Sequence, residues 1–239
     1  MASVAQTAVA TTSTDGSSAT FTAQAIGANG GSDIIYVLAG ARTVADASTL
    51  SVTVDGISAT QIVFLSNNEG GGVRANCGIY AVARNSLPDP AQTDVDVVLT
   101  HNQTCIRHAA AVAVSADASA TAFATASAGV GSTNLNLNTS ASGIVIGAAY
   151  NGDIASFGWT GLTEQSDLDV ASEGSNRFTT AYASAVSAET PRTVTAATAT
   201  DLAAKVAASF PVAAAVAARP LVGRDLINSR FIAPRALVN

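Results

Sequence analysis

Residues 50–64 read LSVTVDGISATQIVF. Two runs rich in β-branched residues, Leu50–Val54 and Ile57–Leu65, flank Asp55-Gly56. A two-residue hairpin turn needs positive φ at both central positions, which Asp and Gly tolerate, so this stretch predicts a tight β-hairpin. Working outward, similar short runs appear at Ser18–Ile26, Asp33–Ala39, Val73–Ala83, Thr93–His101, Ile106–Ser115, Asn134–Thr139, Gly143–Tyr150, Arg177–Val186, Arg192–Thr198 and Leu202–Val212. Gly, Asn, Asp and Pro punctuate them. That rhythm predicts an all-β, antiparallel sandwich or barrel.

Alternation assigns faces to several of these runs. Val95, Val97 and Leu99 point one way and Asp94 and Asp96 the other, so this strand has one wet face. Leu135 and Leu137 stand among three asparagines and are expected inside. Asp33–Ala39 (DIIYVLA) is apolar on both faces and suits a central strand. Leu202–Ala218 is Ala-rich enough to suggest a helix. Pro211 would break one, and Leu202, Ala204, Val206, Ala208, Phe210 and Val212 recur at period two, so a strand is expected with Pro211 at an edge or at its end. Ala116–Ser132 is nearly chargeless and low in large apolar groups, and is read as a long connection. Gly70-Gly71-Gly72 reads as a hairpin tip.

The 239 residues are 48% hydrophobic and only 12% charged, with a formal net charge of -6. Many of the hydrophobic positions are alanine, so the expected core is lean. The acidic balance argues against direct nucleic-acid binding, which needs a field that neutralises phosphate. No apolar run is long enough for a membrane-spanning helix, so no membrane partner is expected. Met1–Ala10 lacks the basic and apolar regions of a secretory signal, and the chain is read as made and used without export.

Both ends differ from the body. Residues 1–17 are Ala, Ser and Thr without sustained periodicity and are read as a flexible N-terminal arm; residues 18–218 form the sandwich domain. Residues 219–239 carry four arginines against Asp225 alone, a net charge of +3, whereas the residues before them carry -9. The same segment holds Leu221, Leu226, Ile227, Phe231 and Ile232 beside Arg219, Arg224, Arg230 and Arg235. Fully extended it would reach on the order of 70 Å, at about 3.3 Å per residue. An apolar arginine-bearing arm on an acidic body suits docking on another subunit, and these nine residues are the candidate partner-binding set.

Candidates for chemistry are few. Cys77, His101, Cys105 and His108 are residue types that zinc accepts, but Cys-x23-His-x3-Cys-x2-His matches no metal motif. His108 falls in register with Ile106, Val112 and Val114 and reads as a core or interface histidine, and the two cysteines as reduced thiols. Asp153, Glu164, Asp167, Asp169 and Glu173 gather in one expected loop region, 153–173, without the spacing that calcium loops use, and read as a solvated acidic rim. Tyr150, Phe157 and Trp159 could form a sugar-stacking platform, but a chain with so few large rings needs them for packing. Neither a nucleophile elbow nor a phosphate loop occurs. No metal, cofactor or catalytic set is expected.

Four segments carry a family resemblance: the Leu50–Phe64 hairpin, GIYAVARNSLPDPAQTDVDVVLT (Gly78–Thr100), IRHAAAVAVSADASA (Ile106–Ala120) and NLNLNTSASGIVIGAAYNG (Asn134–Gly152). Together with the late Ala-rich run KVAASFPVAAAVAA (Lys205–Ala218), their order resembles jelly-roll-like β-sandwich domains in structural proteins of tailed bacteriophages and related particles. The arginine-bearing end departs from that pattern. The resemblance implies a non-enzymatic virion component, a head decoration, fibre or spike protein assembled in the host cytoplasm. It also implies capsid or tail proteins as partners, and a homo-oligomer such as a trimer. A carbohydrate-binding, receptor-binding module using Tyr150, Phe157 and Trp159 is the alternative. No active site carries over.

Overall fold

The computed structural model describes residues 1–13, 15–30, 33–44, 48–70, 72–170, 176–199 and 202–214. The candidate docking residues Arg219, Leu221, Arg224, Leu226, Ile227, Arg230, Phe231, Ile232 and Arg235 lie outside the described residues, as do Glu173 and Gly71. In chain order the strands of the first half are β1 (Ala5–Thr12), β2 (Gly16–Ala25), β3 (Ile34–Thr43), β4 (Leu50–Val54), β5 (Ile57–Ser58), β6 (Thr60–Gly70), β7 (Val73–Ala83) and β8 (Asp94–Ser115). They are followed by β9 (Ala124–Ala128), β10 (Leu137–Thr139), β11 (Gly143–Asn151), β12 (Phe157–Thr160), β13 (Thr163–Asp169), β14 (Arg177–Val186), β15 (Glu189–Arg192), β16 (Thr195–Thr198) and β17 (Ala203–Phe210). No α-helix occurs among the described residues.

All strand pairs are antiparallel, and the molecule is a β-sandwich. The first sheet runs β5-β4-β8-β3-β7-β6, with β1 and β2 on the other side of β8; the second runs β13-β14-β11-β17-β9. One core fills the space between the sheets. There Tyr36, Leu38, Ile79 and Ala111 meet Ile146, Tyr150, Phe178, Val206 and Phe210. The opposite face of the first sheet curls around a second core of Phe21, Val37, Val52, Tyr80, Val97, Leu99 and Val112. The opposite face of the second sheet carries a third core, capped by the two-stranded ribbons β10-β15 and β12-β16. Strand β3 therefore has core on both faces, as its unbroken apolar run requires.

Local expectations hold at several points. Asp55 and Gly56 both have positive φ, 48° and 78°, and join β4 to β5. The hairpin is short, because the chain leaves β5 at Ala59 and β6 pairs with β7 instead. Strand β17 runs to Phe210 and stops at Pro211, with Ala204, Val206, Ala208 and Phe210 all in the inter-sheet core. Leu135 and Leu137 are buried between exposed asparagines.

Three expectations are corrected. Residues 1–17, read as a flexible arm, contribute β1, which pairs with β8 from Ala5↔Val114 to Thr12↔His108, and Ala2 is buried in the inter-sheet core. Ala and Thr side chains gave no strong pattern there, yet the backbone ladder forms without one. Ala124–Ala128, inside the expected connection, is β9 and pairs with β17 for the same reason. Thr93–His101 and Ile106–Ser115, read as separate strands, are one 22-residue strand. The first half of β8 lies between β4 and β2, and its second half between β3 and β1.

Candidate functional site

A buried group of metal-ligand-type side chains lies where β8 changes neighbours. His108 lies seven positions after His101, which in an extended strand would span about 23 Å and place their side chains on opposite faces. Their ring centroids instead lie 5.5 Å apart. Two features of β8 produce this. Its pairing passes from β4 at Leu50↔His101 to β3 at Thr43↔Cys105, so the strand turns a corner between the two. At that corner consecutive residues Arg42 and Thr43 pair with Arg107 and Cys105, leaving Ile106 as the extra residue of a bulge. The bulge reverses the side-chain phase. Val95, Val97 and Leu99 face the curled core before it, and Ala110 and Val112 face the same core after it.

As a result His101, Cys105 and His108 converge, with their ligand-type atoms all within 4.8 Å of one another. All three are buried: His101 is 3% exposed, and Cys105 and His108 are fully enclosed. Ser48 Oγ lies 3.2 Å from His101 Nδ1. His101 Nε2 and both ring nitrogens of His108 have no hydrogen-bond partner among the described residues. Burial first, and then the neighbouring His108, push the His101 imidazole down to about 3; burial lowers His108 as well. Burial pushes the Cys105 thiol up to about 12. The resting state is thus a neutral thiol beside two neutral imidazoles. An activated cysteine nucleophile requires the reverse, a thiolate held by a cation.

Cys77 stands apart from this group, on β7 in the inter-sheet core, and both cysteines are free thiols. The spacing of His101, Cys105 and His108 matches no metal motif, because on a straight strand it would not bring the three side chains together. The polar break His-Asn-Gln-Thr at 101–104, between two apolar runs, was the one available sign of a corner.

The three aromatic candidates do not share a surface. Tyr150 is fully buried between the sheets, while Phe157 and Trp159 belong to the third core on the other face of the second sheet. The Trp159 ring lies over Gly147, where a Cβ would stand 2.8 Å from Cζ3, and its Nε1 donates to Thr179 Oγ1 at 3.0 Å. Tyr150 and Phe157 therefore serve packing, and no stacking platform combines all three rings. The expected acidic loop is corrected in part: Glu164, Asp167 and Asp169 lie on β13, whose backbone pairs with β14 although its side chains are mostly polar. Arg177 donates to Asp167 at 2.8 Å and to Asp169 at 2.6 Å, so these carboxylates are engaged by an arginine.

A cleft of about 460 Å³ opens where the chain leaves β17, lined by Asp33, Asn85, Asp117, Ser119 and Ala213 among others. Asp33 is turned inward there, paired with Arg84. No family model, curated protein or solved structure matches this chain.

Proposed function

We propose that the protein is a non-enzymatic structural component of a virion or virion-like particle, a head decoration, fibre or spike protein. It docks on capsid or tail proteins through residues 219–239. The observation that supports this most directly is the contrast between the body and its last segment. Strand β17 is buried along its whole length and flanked by both β11 and β9, so it is an interior strand of the second sheet. Those residues carry +3 on an otherwise acidic chain, with large apolar groups between the arginines. Arginine pairs bidentately and dehydrates more readily than lysine, which fits a contact surface. Self-association into a homo-oligomer such as a trimer would cover further surface.

The test is deletion of residues 219–239. The shortened chain should keep its β-rich circular dichroism and its solubility, and should no longer co-sediment with particles that incorporate the full chain. Unchanged occupancy on such particles would remove the docking role.

A further inference from the structure

We propose that His101, Cys105 and His108 form a buried structural site for one borderline-to-soft transition-metal cation of the zinc class. This goes beyond the docking role and concerns how the body is held together. The site rests on three observations. The first is convergence: a corner and a bulge in β8 bring to one point three side chains that a regular strand would scatter. The second is the donor set. One sulfur and two imidazole nitrogens are the ligands that zinc-class ions select over oxygen. The third is lack of partners. Buried polar atoms are normally hydrogen-bonded, yet three ring nitrogens here have no partner among the described residues.

Ser48 also suits one tautomer of His101. Ser48 Oγ can accept the Nδ1–H of His101, which leaves the Nε2 lone pair directed away from the serine. Metal-ligating histidines commonly have their second nitrogen held in this way. Ligands on zinc at about 2.0–2.3 Å are roughly 3.3–3.7 Å from one another. The present spread, up to 4.8 Å, therefore contracts by about 1 Å on binding. Binding joins the thiolate sulfur and two nitrogens to the cation and releases the thiol proton to solvent. A small ligand such as water completes the coordination. By tying the two halves of β8 together, the ion clamps the corner where the first sheet curls around its own core.

The experiment uses the full chain, stripped of metal by chelator and dialysed at pH 8, where imidazoles are neutral. Cobalt(II) titration should saturate at one equivalent, with visible bands of a low-symmetry site and near-ultraviolet thiolate charge transfer. Zinc should abolish these bands. Calorimetry in buffers of different ionisation enthalpy should give about one proton released per zinc, as expected for one thiol and two neutral imidazoles. Cys105→Ser should remove the charge-transfer band and Cys77→Ser should keep it, circular dichroism confirming that both are folded. Should Cys105→Ser fail to fold, His108→Gln replaces it and must weaken cobalt binding at least tenfold. No stoichiometric cobalt or zinc uptake by the stripped chain, or a charge-transfer band that survives Cys105→Ser, overturns the site.

Discussion

The guanidinium of Arg84 pairs with the carboxylate of Asp33 at 3.2 Å, with the two side chains only 1% and 3% exposed. The same arginine donates to the carbonyls of Ile26, Gly27, Ala28, Pro90 and Gln92. It thereby fastens the connection after β2 and the connection before β8 to the start of β3. A buried charge that loses its partner has neither water nor an opposite charge. Arg84→Met and Asp33→Asn should each lower unfolding free energy by about 3–5 kcal/mol. Urea denaturation at neutral pH reads this as a lowered midpoint, and a shift no larger than that of an exposed Arg→Met control would refute it.

Two glycines separate packing from backbone conformation. A Cβ on Gly40, in the first sheet, would stand 2.5 Å from Tyr150 Cδ2 and 2.8 Å from Phe178 Cδ2 of the second sheet. Gly40→Ala should therefore destabilise by about 1–3 kcal/mol through overpacking. A Cβ on Gly56 meets nothing within 4 Å, but φ there is +78°. Gly56→Ala should cost about 1–2 kcal/mol from backbone strain alone. Enlarging the cavity with Phe178→Leu should recover part of the first loss and none of the second, as measured by thermal denaturation.

Alkaline pH should unfold the protein in one step with its tyrosines. Tyr36, Tyr80, Tyr150 and Tyr182 are all the tyrosines in the chain, and burial raises every one of them. Above pH about 10 the unfolded chain loses phenol protons that the folded chain retains, so stability falls as pH rises. Tyrosinate absorbance at 295 nm should appear together with loss of the β circular dichroism signal. A tyrosine that titrates reversibly near pH 10 in the folded protein would contradict this.

Lys205 is the only lysine and is fully buried in β17, donating to the Ser132 carbonyl at 2.8 Å. An amine-selective acylating reagent should leave it unmodified in the folded chain and modify it after denaturation, as peptide mass mapping would show. Equal labelling in both states would place its amine in solvent.

Much of the strand framework was legible residue by residue. The hairpin turn at Asp55-Gly56, the inward Val95-Val97-Leu99 face, the doubly buried β3 and the end of β17 at Pro211 all follow from local chemistry. The strands outside the expected runs are β1, β9, β12, β13 and β15. In β1 and β9, Ala and Thr dominate and carry little apolar contrast between faces, while β13 is polar or charged at every position but Leu168 and so reads as a loop. The His-Cys-His group was legible only as residue types.

What the sequence alone determined is the all-β class and the face each alternating run presents. A pleated backbone sends successive side chains to opposite sides wherever it lies, so that information is local. Which strands become neighbours was decided only by the tertiary structure, since ladder hydrogen bonds join backbones regardless of side chain. Partner exchange along β8, from β4 to β3, creates the corner and the bulge, and so brings His101, Cys105 and His108 into contact.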